Sequence, residues 1–433
     1  MKSSIYIPSD VIEEILYFIQ SELTNKNDYL SNESSTLFNC LLVNRQWCKL
    51  VIPLLWRQPF LYVRKGNPKL ITTFLTFLND KNRRILLSNG ITLSSLLKPD
   101  CRIRHQNFYF YKVHKSQYRS NFNYASFLKH LHYDYMLSSI EAWCSYSNQS
   151  VGNAISLITN FLLKLFVDNN VKLISLFVWP NHIHWTHYSS NRYMELVEPE
   201  VSGLLLELKH LHIETHSKYP SVGFFSKLSR IVNVKELYLR TQLLGHMGFP
   251  NDLENEMAHN ISSLINSQTN LISFTLSNSV RYTSDFIKSL SPNIHHIQNI
   301  SLNETKIAEI DLWIILSNCI NLQKLEIIKC AGLNVESIIP FISANWATLK
   351  TIIIEDNQPT DVNNELEQWA NKIRIYLFIF KPHNFAVSSQ VSEAVTSPLF
   401  AGSQLVKYCL ANVIVYEQIF TGIKAYYSIL SNC

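Results

Sequence analysis

The second half of the sequence repeats one apolar spacing, and that spacing constrains the fold more than any other feature. The form N-L-x-x-L-x-L occurs as "NLISFTL" from Asn270, "NLQKLEI" from Asn321, "NVKELYL" from Asn233 and "NVKLISL" from Asn170, with looser copies "ELKHLHI", "HIQNISL" and "TLKTIII". The first apolar positions are Val171, Leu208, Val234, Leu271, Ile297, Leu322 and Leu349, in steps of 37, 26, 37, 26, 25 and 27 residues. The two long steps hold loops, one of them "GHMGFPNDLEN". A unit this short cannot bury its own apolar face, so successive copies must stack. Between copies, Leu253, Met257, Ile261, Leu264 and Ile265 fall at helical spacing. The expected class is α/β, with parallel strands alternating with helices.

Most of the steps match the leucine-rich-repeat period of about 20–29 residues, so residues 124–370 are expected to form a leucine-rich-repeat-like solenoid. An ordinary α/β domain also has aliphatic parallel strands, but steps of 25, 26, 26 and 27 argue against coincidence. Asn357, Cys330, Thr305 and Gln242 stand after strands, where polar side chains pair turn backbone. "FLKHLHY", from Phe127, reads as an earlier strand. Alternation turns the leucines inward and leaves the flanking residues on the open sheet face. His210, His212, Tyr238, Arg240, Thr275, Ser301 and Glu326 are the candidate contacts for a protein substrate, with Tyr238 and Arg240 foremost. After Trp369 the pattern stops; residues 371–433 read either as a cap or as an extension.

Near the chain start, "LLVNRQWCKLVIPLLW" reads as a helix ended by a proline break. Leu37, Cys40, Leu41, Cys48, Val51 and Ile52 share one face, and Val43, Trp47 and Leu50 an adjacent one. Together they span about 200°, more than a single core-facing stripe needs. Two apolar faces require two neighbours. "YIPSDVIEEILYFI" supplies one; the other is either the segment after residue 60 or a separate protein.

The order Ile7-Pro8-x-Asp10-Val11-Ile12-x-x-Ile15-Leu16, then Leu42-Val43-Asn44-Arg45-x-Trp47-x-x-Leu50, then Trp56, resembles an F-box of the fungal type. In F-box proteins this three-helix module docks onto a Skp-type adaptor joined to a cullin scaffold, and the rest of the chain selects a substrate for ubiquitin transfer. The resemblance implies adaptor contacts at Pro8, Ile12, Ile15, Leu16, Val43, Trp47 and Leu50, with Ile15 and Leu16 on its first helix and Val43, Trp47 and Leu50 on its second. One departure is the connection Gln20–Thr36, longer than usual and read as a polar surface loop. The implied organisation is an F-box-like module over 1–60, a helical and basic linking segment over 61–123, the repeat domain and the tail. Charge reversal at Arg240 combined with Tyr238→Ala is expected to eliminate substrate capture while leaving adaptor binding and thermal stability nearly unchanged. The alternative is a non-catalytic repeat scaffold with no role in ubiquitin ligation.

With 47% hydrophobic and 16% charged residues the chain is a folded protein, and its formal charge of +5 is no nucleic-acid signature. Asp10, Glu13 and Glu14 interrupt the first apolar run, so no secretory signal or membrane span is expected. Eight cysteines without CxxC pairs suit reduced thiols and a cytoplasmic or nuclear location. His130-x-His132 and His210-x-His212 belong to strands with at least one other between them, about 10 Å apart and too far to share an ion. His182-x-His184-x-x-His187 lies in a loop without a nearby carboxylate or thiol. No metal, cofactor or catalytic set is therefore expected. Arg102, Arg104, Lys112, Lys115, Arg119 and Lys129 interleave with the aromatics of "NFYFYK", a pattern of single-strand nucleic-acid binding. A solvated basic segment that packs its rings on the repeats accounts for it more simply.

Overall fold

The computed structural model describes residues 8, 10–16, 30–61, 66–91, 122–147, 151–179, 190–216, 222–242, 251–279, 281–307, 310–332, 341, 348–355 and 376–380. Two units divide at residues 379 and 380, and of the second, Phe380–Cys433, only Phe380 is described. The NFYFYK stretch, His182, His184, His187 and Asn357 lie outside the described residues.

Three helices open the chain: α1 (residues 10–16), α2 (Leu30–Leu41) and α3 (Arg45–Arg57). The single helix expected across Leu41–Trp56 is two helices. The chain turns at residues 42–44, where Asn44, with extended backbone, accepts from the amides of Gln46 at 2.8 Å and Trp47 at 3.1 Å and so caps α3. Pro53 does not end the helix but stands inside it. Burial of Val51, Ile52 and Leu55 around it offsets the roughly 3 kcal/mol that an interior proline costs. Because α2 begins at Leu30, the second part of the supposed Gln20–Thr36 loop is helical; residues 17–29 lie outside the described set. Ile12, Leu16, Leu37, Val51 and Leu55 form a small core of their own.

The far end of α3 meets a much larger core. Trp56 stacks on Tyr124 at 4.2 Å and meets Phe74 edge-on at 5.3 Å, while Lys129 donates its amide to the Arg57 carbonyl at 2.9 Å. Phe74 belongs to α4 (Pro68–Leu75), which with α5 (Asp80–Ser88), α6 (Tyr133–Tyr146) and α7 (Val151–Asp168) covers the first strands. Gly66, at φ +77°, enters α4 so close to α6 that a Cβ there would lie 2.5 Å from the Ser138 carbonyl oxygen.

Eight strands, β1 (His130–His132), β2 (Ser175–Val178), β3 (His210–His216), β4 (Glu236–Gln242), β5 (Ser273–Ser277), β6 (Asn299–Asn303), β7 (Lys324–Ile328) and β8 (Thr351–Glu355), pair in parallel in chain order, and β9 (Tyr376–Phe380) follows β8. Helices α8 (Val222–Leu228), α9 (Asn251–Asn266), α10 (Thr283–Lys288) and α11 (Ile310–Ser317) join β3 to β7. The class is therefore α/β. Because parallel crossovers share one hand and the strand order never reverses, the helices gather on one face of the sheet and leave the other open. This order is compatible with a solenoid.

The register explains the spacing of the motif. Leu131, Leu176, Leu211, Leu237, Phe274, Ile300, Leu325 and Ile352 make one buried row, and Val178, Ile213, Leu239, Leu276, Leu302, Ile327 and Ile354 a second. One correction follows. Ser175 pairs with His210, so Leu173 rather than Val171 matches Leu208, and the first step is 35 residues (208 minus 173). The asparagine that opens the motif ties neighbouring units together: Asn233 accepts from the amides of Thr269 and Asn270 at 3.0 and 3.2 Å, and Asn321 donates to the His295 carbonyl at 2.6 Å. After β5, β6 and β7 the chain turns each time through a left-handed residue, Asn278, Glu304 and Lys329, at φ 56°, 51° and 55°. Thr305 and Cys330 then lie buried side by side, Oγ1 to Sγ at 3.3 Å, with the Cys330 thiol bonded to the Leu302 carbonyl at 3.2 Å. Gln242 belongs to β4 itself, which runs two residues longer than β5 to β7.

Candidate functional site

On α1 the buried stripe Ile12 and Leu16 leaves Val11 and Ile15 on an adjacent stripe, 41% and 40% exposed. At the α2–α3 turn, Phe38, Leu42 and Val43 are 55%, 84% and 58% exposed. Five of the large apolar side chains that face solvent thus fall on this module, whose own core is small. Pro8 is exposed. Trp47 and Leu50 are half-buried against the Ile12–Leu55 core, and Val43 lies in the turn before α3 rather than on a helix.

The second surface is the open face of the sheet. Register sets His212, Tyr238, Thr275, Ser301 and Glu326 in one line across β3 to β7, continued backwards by Phe177 and His132. His210 lies one outward step before this line and Arg240 one after it. All seven sequence-predicted positions therefore share one face. Four rings of the line stack on one another: His132 on Phe177 at 4.0 Å, Phe177 on His212 at 4.5 Å, and His212 on Tyr238 at 5.4 Å, with interplanar angles of 5°, 22° and 27°. Tyr135, at the start of α6, stacks on the outer side of His132 at 5.7 Å. His132, Phe177 and His212 each have rings on two sides, so they present their edges to a partner, and Tyr238 keeps one face towards Thr275. Burial lowers the pKa of His132 to about 3 and of His130 and His212 to about 4, so these imidazoles are neutral at pH 7.

Beyond the rings runs a chain of polar groups. Asp134, buried at the start of α6, accepts from the Trp179 amide and the Tyr193 hydroxyl, both at 2.6 Å. Burial, with the nearby charge of Glu214 adding to it, raises the Asp134 pKa to about 6 despite these bonds. Glu214 is itself 4% exposed and its pKa is raised by burial, with Arg240 opposing. Arg240 Nε stands 3.8 Å from Glu214 Oε1. With its carboxamide oxygen towards Arg240, Asn278 accepts from Nε at 2.9 Å and Nη2 at 3.0 Å while its amide donates to Glu304. The guanidinium is thus held from two sides. Elsewhere on the face, His210 Nδ1 lies 2.8 Å from Glu236 Oε2, and Lys324 Nζ 2.6 Å from Glu326 Oε1.

His130 and His132 are separated from His210 and His212 by β2, with Ser175 and Phe177 between them. No group of three or more histidines, cysteines or carboxylates that could hold a metal occurs among the described residues, and no described helix is long and apolar enough to cross a membrane. Asp134, Asn278 and Phe177 were not among the sequence candidates because their partners come from segments distant in sequence, Asp134 through Trp179 and Tyr193, Asn278 through Arg240 and Phe177 through strand register. For Phe177 a signal existed: once "LISLFV" is aligned on Leu173, Phe177 falls on the outward position.

Neither family models nor curated proteins match this chain.

Proposed function

We propose that this protein is the substrate-receptor subunit of a Skp-cullin-F-box ubiquitin ligase, located in the cytoplasm, the nucleus or both. The α1–α3 module would bind a Skp-type adaptor and through it the cullin; the sheet, as a leucine-rich-repeat-like solenoid, would hold a protein substrate. The chain itself performs no chemistry in this reading. It raises the substrate's effective concentration at the ligase. The observation that carries the proposal is the apolar surface Val11, Ile15, Phe38, Leu42 and Val43, left open on a module that already has a core. Apolar side chains concentrated in this way on a folded surface mark an interaction site. The Pro8-to-Trp56 pattern supplies the identity of the partner, and the regular register of β3 to β8 supports the repeat reading.

A second reading, a repeat scaffold without a ligase role, draws on the packing of Trp56 against Phe74 and Tyr124, which gives α3 an intramolecular neighbour at its far end. Purification of the tagged full-length chain from cells separates the two. The ligase reading expects a Skp-type adaptor and a cullin in the purified complex in near-stoichiometric amounts; their absence in a preparation of folded protein selects the scaffold.

A further inference from the structure

The residues that precede the strands form a continuous row of their own. Backbone bonds of 2.7 to 2.9 Å link Lys129, Ile174, Lys209, Lys235, Ile272, Gln298, Gln323 and Lys350 in that order. Four of the eight are lysine and none is acidic. At about 4.8 Å per strand, Lys129, Lys209 and Lys235 occupy about 14 Å of this edge. Arg57 adds a further cation beside Lys129 through the bond between the Lys129 amide and its own carbonyl. Lys209, Lys235 and Lys350 are exposed, and none of the row's lysines forms an ion pair with a described carboxylate. Of the two acids closest in sequence, Glu236 is held by His210, and Glu207 forms no ion pair with a described residue.

We propose that this basic edge of β1 to β4 receives an acidic peptide segment, rich in Asp or Glu, of the protein captured by the sheet. Uncompensated lysines on one line at strand spacing complement carboxylates spread along an extended chain. A single-stranded nucleic acid offers the same charge but fits less well, because it gains affinity by stacking bases on free aromatic faces. Of the four rings on the sheet face, His132, Phe177 and His212 each stack on two neighbours and Tyr238 on one, which leaves a single ring face for a base. A peptide has no such requirement. Its carboxylates lie at the lysines, and its neighbouring residues meet the ring edges, two outward steps into the sheet.

The inference rests on the reading that the sheet captures a protein, and the test keeps the two apart. The full-length chain is titrated with fluorescent deca-glutamate, and separately with fluorescent deca-uridylate, at low and at physiological salt. Lys209→Glu/Lys235→Glu should weaken deca-glutamate binding at least about tenfold at low salt, where surface charges act most strongly. Lys81→Glu/Lys288→Glu, which reverses exposed charges on α5 and α10, should leave it unchanged. Equal binding by both double variants, no binding by the unaltered chain, or tighter binding of deca-uridylate than of deca-glutamate would each overturn the proposal. Adaptor binding by Lys209→Glu/Lys235→Glu protein is measured alongside; its loss or retention bears on the ligase reading alone.

Discussion

Arg240 and Glu214 face each other across β3 and β4, Nε to Oε1 at 3.8 Å, with the carboxylate almost wholly buried and the guanidinium partly open. This relationship changes what Arg240 can be used to test. Charge reversal there, expected from the sequence alone to leave stability nearly unchanged even when combined with Tyr238→Ala, would set a second carboxylate against a buried one. Removing one member of a buried pair leaves its partner's charge uncompensated.

Arg240→Ala is accordingly predicted to lower the melting temperature by several degrees, and Arg240→Glu by more, at pH 7. Glu214→Gln should cost less than Arg240→Ala, and the double change Glu214→Gln/Arg240→Ala should recover part of the loss. Melting curves of the four variants decide this; strictly additive losses would show that the two side chains act independently. Arg240→Lys, which keeps the charge, is the suitable variant for asking whether the fork of the guanidinium grips a partner.

The desolvated histidines of β1 and β3 predict acid sensitivity. His130, His132 and His212 have folded pKa values near 4, 3 and 4, below the usual 6.5, so the stability they contribute is present above pH 6.5 and is lost as pH falls towards 4. Each tenfold change in proton affinity is worth about 1.4 kcal/mol, so even a fraction of this effect is measurable. His132→Phe, which keeps a stacking ring and removes the titration, should flatten the decline of melting temperature between pH 6.5 and 4.5 relative to the unaltered chain. An identical pH profile would show that His132 does not titrate across unfolding.

Asp134 works in the opposite direction. Its folded pKa of about 6 lies above its ordinary value of 3.8, so its contribution is present below pH 3.8 and is lost as pH rises through 6. It therefore offsets part of the histidine effect on acidification. Asp134→Asn, which retains an acceptor for the Trp179 amide, should make the acid decline steeper; a shallower decline would contradict the assignment.

Much of this was legible in the sequence where side-chain periodicity carries the information. Leu211, Leu237, Leu325 and their neighbours fixed the alternation, and with it the shared face of His212, Tyr238, Thr275, Ser301 and Glu326. The period fails where geometry depends on a backbone turn. Asn44 was readable as a helix cap, yet the apolar run on both sides of it concealed the break between α2 and α3. The asparagine of "NVKLISL" puts the frame at Val171, whereas in the structure Asn170 is a left-handed residue at φ 54° just after α7 and the frame starts at Leu173. The Asp134–Glu214–Arg240–Asn278 chain joins elements far apart in sequence, and local spacing carries no trace of it.

The central claim concerns the N-terminal module, and its most direct test is calorimetric titration of the full-length chain with a purified Skp-type adaptor. The account predicts a complex of micromolar affinity or tighter, formed through exposed Val11, Ile15, Phe38, Leu42 and Val43. Ile15→Glu/Leu42→Glu should abolish it with little change in melting temperature, because both side chains already face solvent at 40% and 84% exposure. Trp47→Ala/Leu50→Ala should weaken binding and also destabilise the small core against which these residues lie half-buried. No binding by the unaltered chain, or equal affinity in the Ile15→Glu/Leu42→Glu variant, would contradict the account.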